Sequence, residues 1–477
     1  MKSIEMIRRV AQTIGDAVSI DDKDGMTVRV NNPQALRGRI EPLVRAAALG
    51  TDPDRGAARW LIRILALESG AVPSSIHDLY IARGRGKVRN DFTVPAMNLR
   101  ALPFHAARAV FRSATAAQAG AFIFEIARSE MGYTDQRPSE YAACILGAAI
   151  AEGYTGPVFI QGDHFQASAK RYAEAPETEL QAVRDLCREA ILAGFYNIDI
   201  DTSTLVDLTQ KTIPAQQRLN YTLCAEMTAL IRRLEPKGVT VSVGGEIGEV
   251  GGHNSTEPEL RAFMDGYNAT LKKVARGAPG LSKISIQTGT SHGGVVLPDG
   301  SIARVKVDFD TLRRLSIVAQ KEYGMGGAVQ HGASTLPEEA FSHFAEAGAC
   351  EVHLATNFQN MLYDRLPEEL RAEIYAFLDR DQAKERKEGQ TEEQFYYKVR
   401  KQALGPFKAK LWNMPPEALK RVEQAWERQF RLLFERLNIG KTTVDTLTHV
   451  SPVRVRPALS DYVAGAAGGE AVGDLAD

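Results

Sequence analysis

Cysteine is scarce in this chain, and Cys144, Cys187, Cys224 and Cys350 show no CxxC spacing and sit in apolar stretches. That argues against a disulfide framework or a cysteine-built zinc module, and buried free thiols in a reducing compartment are expected. Long apolar runs are also missing: none reaches the roughly 18 residues that a membrane-crossing helix needs. The start, Met1-Lys2-Ser3-Ile4-Glu5, has no basic segment leading into an apolar one, so a cytoplasmic protein is expected. An excess of charge of either sign is absent too. The 58 Lys and Arg against 59 Asp and Glu leave a formal net charge of -1, so neither nucleic acid nor a membrane surface is an expected partner. No Gly-x-Gly-x-x-Gly follows the first strand-like run, which weakens a dinucleotide-binding sheet.

What is present describes a globular protein. Hydrophobic residues make up 44% and charged residues 25% of 477 positions, enough for one large domain with extensions, or two domains. Residues 1–90 read as a mostly helical N-terminal extension. It ends in the basic loop Arg83-Gly84-Arg85-Gly86-Lys87, for which a solvated linker is expected. From residue 91 to 364 the pattern becomes short apolar runs separated by amphipathic stretches of helix length. The runs are 92–98, 121–127, 157–164, 196–203, 240–248, 284–292, 328–331 and 351–357. Strands alternating with helices call for a parallel sheet, and eight such units predict an α/β fold of the closed (β/α)8 TIM-barrel type. Residues 365–459 read as a helical C-terminal segment in which 419–437 should dock an apolar face. Residues 460–477, rich in Ala, Gly and acid, are expected to be disordered.

The chemistry collects where these runs end. His164 closes the third run after Asp163, His292 the sixth and His331 the seventh, while His353 lies in the eighth. Strands of a barrel deliver their C-terminal ends to one rim, so imidazoles distant in sequence can converge there as a divalent-metal face. The fourth run ends in Asp199-Ile200-Asp201 and the fifth in Gly245-Glu246-Ile247-Gly248-Glu249. Carboxylates so placed can hold ligands, bind a second cation or move protons. Gly293, Gly294, Gly332 and Ser334 are small residues where backbone N–H groups can approach an anion. The loops after the last two strands are the usual barrel phosphate site.

This series resembles the class II, metal-dependent ketose-bisphosphate aldolases over residues 91–364. It is most similar to their tagatose-bisphosphate branch through Ser291-His292-Gly293, Val307-Asp308-Phe309, His331-Gly332-Ala333-Ser334 and Ala355-Thr356. The resemblance implies a lyase that cleaves fructose- or tagatose-1,6-bisphosphate to dihydroxyacetone phosphate and glyceraldehyde 3-phosphate. It implies Zn2+ or another divalent cation on His164, His292 and His331, and a monovalent cation is a further expectation. Asp163 would exchange a proton with the C4 hydroxyl. Glu246 and Asp201 would orient the ligands or offer an alternative metal position. Gly293, Gly332, Ser334 and Thr356 would hold a phosphate of the dihydroxyacetone phosphate half, Asn98 would contact substrate, and His353 would either contact substrate or enlarge the metal site or serve in the core. A phosphorylated sugar and further copies of the chain, as a dimer or tetramer, are the expected partners.

Two positions depart from the family pattern. Asn254 stands after Gly251-Gly252-His253 where the family has a glutamate that takes the donor proton; His253, Glu249 and Glu257 are the candidate replacements, and His253 has the most suitable ordinary pKa. His353 stands where the family has an asparagine. Lys408 and Lys410 are candidates for a second phosphate. These departures keep open a metal-dependent C4 epimerase using the same chemistry, and a non-catalytic aldolase-like partner subunit. A Schiff-base aldolase is disfavoured, because Lys283 lies at the start of the sixth run rather than its end.

Overall fold

Runs such as Ile123-Phe124-Glu125-Ile126-Ala127 are buried on both faces, as parallel strands covered by helices must be. The computed structural model of the chain describes residues 2–21, 26–248, 253–289, 297 and 307–463. Its N-terminal part is mostly helical, with an antiparallel pair β1 (Val18–Asp21) and β2 (Thr27–Val30) and one further strand, β3 (Ala71–Ser74). The predicted runs then appear in order as β4 (Val94–Asn98), β5 (Ile123–Ala127), β6 (Gly156–Gln166), β7 (Asn197–Asp201), β8 (Ser242–Glu246), β9 (Lys283–Ile286), β10 (Ala328–Gln330) and β11 (Glu351–Leu354). Each pairs in parallel with its neighbours in sequence. β11 pairs with β4, and β6 with β7, so these eight strands close into the (β/α)8 barrel that the sequence predicts. β3 extends the sheet by pairing with the first residues of β6.

The connecting helices begin where local chemistry starts them. Thr256 and Glu259 form a capping box that opens helix Glu257–Val274. Asp308 accepts from the Thr311 amide at 2.9 Å to open Phe309–Tyr323. The C-terminal helix Pro416–Arg436 turns Val422, Trp426, Phe430, Leu433 and Phe434 inward and packs on helix Pro103–Ala117. That is the docking face expected of 419–437. Each such buried side chain contributes roughly 1.5–3 kcal/mol, and Trp426 also donates its indole N–H to the Phe358 carbonyl at 3.0 Å.

Arg85, Gly86 and Lys87 of the basic Gly-rich segment are exposed, as expected of a solvated linker, but its first residue is not. Arg83 is buried, and its guanidinium donates to the carbonyls of Phe92 (2.7 Å), Gly348 (3.2 Å) and Ala349 (2.9 Å). It ties the N-terminal extension to the entry of the barrel, satisfying backbone groups that burial would otherwise leave unpaired. The four cysteines are buried and free. No helix among the described residues is long and apolar enough to cross a membrane. Of the tail, Ser460–Val463 is a short helix, and residues 464–477 lie outside the described residues.

Candidate active site at the barrel mouth

β6 places the first two site residues by a local irregularity. Its pairing with β7 shifts register between Gly162 and Phe165, a bulge that re-aims Asp163 and His164. Gly162 is required there, since a Cβ would lie 2.3 Å from the Phe165 ring. His164 holds a φ of 38°, a left-handed conformation uncommon for a side chain of this size. Strain of this kind persists only where the surroundings enforce it, and it gathers at functional sites.

Around His164 the imidazoles and carboxylates converge. Its Nδ1 lies 3.2 Å from Asp201 and 3.2 Å from Glu246, and its Nε2 is 3.9 Å from Asp163. The ring centroid of His331 is 4.3 Å away, and the His331 Nε2 lies 2.9 Å from the Ser285 hydroxyl. Asp163, His164 and His331 can each present a ligand atom within 4.8 Å of the others, as can His164, Asp201 and Glu246. The donor set fits a divalent cation: imidazole and carboxylate atoms, with carboxylates on Nδ1 of His164 holding its ring as metal-binding histidines are commonly held. The local field agrees. Burial and then Asp201 push the Glu246 carboxyl up to about 7, although His164 opposes the shift. Burial lowers the His164 pKa, but Asp163, Glu246 and Asp201 outweigh it and raise the group well above its usual value. Such crowding of acids favours a cation.

Beneath this face the barrel interior carries charge where aliphatic layers are usual. The Lys283 ammonium donates to Gln161 at 2.8 Å and Asp199 at 2.9 Å, and it pairs closely with Glu351. Glu351 also accepts from Tyr80 at 2.5 Å and lies 2.7 Å from His353 Nε2. The other nitrogen of His353 is 3.1 Å from both Glu125 and Asp163. Burial, followed by Asp163, pushes the Glu125 carboxyl up to about 8 despite His353. A continuous ionic chain thus runs from Lys283 through Glu351 and His353 to Asp163. A cavity of about 560 Å³ opens above it, with Asn98, Arg100, Glu125, Asp163, His164, His331 and His353 on the barrel side. Gly332, Ser334 and Thr356 line its rim, and residues from the segment 387–401 form another part of its wall.

The sequence model of class II fructose-bisphosphate aldolase matches residues 87–415. The chain belongs to this family. No curated protein sequence matches it. Among solved structures it is similar to a probable tagatose 6 phosphate kinase from Sinorhizobium meliloti, with 16% identity and a TM-score of 0.50 over 78% of this chain and 97% of that one. It is also similar to the fructose-bisphosphate aldolase of Campylobacter jejuni, with 16% identity and a TM-score of 0.46 over 79% of this chain and 99% of that one. At such identity the likeness to the Sinorhizobium meliloti structure speaks for the fold alone.

Within this aldolase-family barrel, the residues picked out from sequence fall into three groups. Asp163, His164, His331, His353, Asn98, Gly332, Ser334 and Thr356 share the cavity, with Asp201 and Glu246 behind His164. His292 and Gly293 lie outside the described residues. His253 is not brought to the cavity: it is exposed, with Nδ1 2.9 Å from the Asn254 carbonyl. The adjoining loop is anchored, since the Asn254 amide donates to Asp308 at 3.1 Å and Ser255 exchanges hydrogen bonds with Gln287. Lys408 and Lys410 are also elsewhere. Lys408 pairs with Glu140 at 2.5 Å, Lys410 pairs with Glu373, and neither lines the cavity. Sequence reading passed over Glu125, Arg100 and Lys401. Glu125 has a signal in hindsight, as an acid in the middle of a fully apolar run.

Proposed function

We propose that this chain is a zinc-dependent ketose-bisphosphate aldolase. It cleaves fructose- or tagatose-1,6-bisphosphate reversibly to dihydroxyacetone phosphate and glyceraldehyde 3-phosphate. The observation that carries this reading is the meeting of His164, His331 and Asp163 in one cavity whose rim is Gly332, Ser334 and Thr356. His164 and His331, with His292 as the third imidazole that the family resemblance implies, would hold the ion, which would supply Lewis-acid polarisation of the ketone.

The chain's own residues carry the acceptor-side proton transfer and hold the substrate. Asp163 accepts the C4 hydroxyl proton as the C3–C4 bond breaks, and returns it in the condensation direction. A positioned proton transfer of this kind is worth roughly 10²–10⁴ in rate. His353, 3.1 Å from Asp163, orients that carboxylate. The donor-half phosphate sits at the rim, where Thr356 begins helix Thr356–Tyr363 and offers backbone N–H groups. Ser334 fixes the loop by accepting from the Ala355 amide at 2.6 Å. Asn98, whose amide donates to Glu130 at 2.5 Å, presents a fixed polar edge to the sugar hydroxyls. Metal analysis tests the assignment together with a coupled triose-phosphate assay. His164→Ala and His331→Ala should each lose zinc and activity together, and full activity at low free zinc in either variant would refute it.

One observation favours a second reading, a C4 epimerase. Residues of the segment 387–401 extend the cavity wall beyond the barrel mouth, which suits holding both fragments for rotation and re-addition. Ketose interconversion without free triose would establish that alternative.

A further inference from the structure

Breaking the C3–C4 bond of a ketose leaves a carbanion at C3, and a proton must reach that carbon before dihydroxyacetone phosphate is complete. Asp163 takes the C4 hydroxyl proton as the bond breaks, so it is not the donor in that step. The loop after β8 does not supply one either. Its Asn254 donates an amide to Asp308, and its His253 is exposed outside the cavity. The carboxyls among the described lining residues are Glu125, Glu130, Asp163 and Glu388. Both oxygens of Glu130 are in use, one with Arg100 and the other with the Asn98 amide and the Ala127 backbone. Glu388 is exposed.

Glu125 is placed differently. It is 1% exposed, in the middle of β5, and stands in register with Gln161 of β6. Its Oε2 accepts from the Gln161 amide at 2.9 Å and lies 3.1 Å from His353 Nδ1. Its Oε1 is buried and has no hydrogen-bond partner. A buried polar atom left in that state is costly and uncommon, and the cavity that Glu125 lines is where a substrate atom can meet it. The fold also sets Glu125 beside Asp163. The two carboxylates flank one nitrogen of His353, and an oxygen of each lies within 4.8 Å of the other. C3 and C4 are bonded neighbours, so the groups that serve them must stand this near each other.

We propose that Glu125 is the donor-side catalytic residue, giving a proton to C3 in cleavage and removing it in condensation. The assignment rests on the aldolase reading above. In cleavage the electron pair of the C3–C4 bond stays with the three-carbon half. The C4 hydroxyl proton passes to Asp163 as the aldehyde forms, and the Glu125 carboxyl proton makes the new C–H bond at C3. The His353 imidazole, which touches both carboxylates, returns a proton from Asp163 to Glu125, so none is gained or lost over a turnover.

Hydrogen exchange at the hydroxymethyl carbon of dihydroxyacetone phosphate, the C3 of the ketose, reads this step without cleavage. It is followed by NMR in deuterated water with the zinc-loaded full chain. Glu125→Gln keeps the side chain's size and should slow exchange roughly 10²–10⁴-fold. Its zinc content should not change, and its affinity for dihydroxyacetone phosphate should stay within about threefold. Asp163→Asn should lose cleavage yet keep exchange within about tenfold, because it serves the C4 oxygen. Exchange in Glu125→Gln within about threefold of the unaltered chain, or loss of its zinc, overturns the assignment. If the Gln variant does not fold, Glu125→Asp decides, since it keeps a carboxylate but withdraws it from C3. Exchange slowed at least about tenfold with zinc bound supports the assignment, and full exchange overturns it. An unaltered chain that releases trioses from a ketose bisphosphate but exchanges no hydrogen overturns the role of Glu125 and leaves the aldolase reading standing. One that does neither overturns both.

Discussion

Replacing Lys283 with Met should destabilise the barrel strongly, and more at alkaline than at acid pH. Lys283 is 1% exposed and joins Asp199, Glu351 and Gln161 in the barrel interior. Glu351 keeps Tyr80, Gln161 and His353 when the lysine is gone, so most of the loss falls on Asp199. One Asp199 oxygen is already buried without a hydrogen bond, and breaking a buried pair from one side costs about 3–5 kcal/mol. With a urea slope of about 3 kcal/mol per molar, the midpoint should fall by about 1–1.7 M. The pH sign follows from the remaining carboxylate. Burial raises the Asp199 pKa and Lys283 lowers it, so removing Lys283 leaves only the upward influence from that pair. A carboxyl whose folded pKa exceeds its unfolded value of about 3.9 loses stability as pH rises through that interval. The deficit should therefore be smallest near pH 4 and largest above neutrality. Urea unfolding by circular dichroism at acid and alkaline pH measures it. A deficit below about 1 kcal/mol, or one that grows on acidification, would mean that Asp199 does not depend on Lys283, and Asp199→Leu added to Lys283→Met should recover part of the loss.

Three further outcomes are expected. His77 is buried against Ser282 at 2.8 Å, and burial, then Arg232 and Arg85, lowers its pKa to about 4. Its depressed value means that the unfolded chain binds the proton first, so about 3 kcal/mol of stability is lost between pH 6.5 and pH 4, and His77→Gln should flatten that stretch of the pH–stability curve. Asp163→Asn should retain zinc while kcat falls roughly 10²–10⁴-fold, and loss of zinc in that variant would make Asp163 a structural residue instead. His253→Ala should alter proton exchange at the donor carbon by less than about threefold, since the ring is exposed outside the cavity; a loss of about 100-fold would restore it as the donor-side base.

The barrel was legible because parallel strands covered by helices leave short apolar runs at regular intervals, and all eight runs became strands. Strand ends were legible for the same reason, since polar residues that interrupt a buried run stand out. What lay hidden depends on register and on contacts between distant segments. Nothing near Lys283 in sequence announces Asp199 or Glu351, which are 84 and 68 positions away. The bulge at Gly162 depends on where Phe165 packs, which pairing with β7 determines. Arg83 looked solvated because basic Gly-rich segments usually are, whereas here the guanidinium serves buried carbonyls. Lys408 and Lys401 are seven positions apart in similar surroundings, and only the fold turns one toward Glu140 and the other toward the cavity.

Carbon–carbon cleavage by this chain is read from the products it releases. Zinc-loaded protein incubated with fructose and tagatose mono- and bisphosphates, followed by NMR, should release dihydroxyacetone phosphate and glyceraldehyde 3-phosphate from a bisphosphate. Chelation should abolish that release, and added zinc should restore it. No triose from any of the four sugars, or equal release after chelation, would rule out a metal-dependent aldolase.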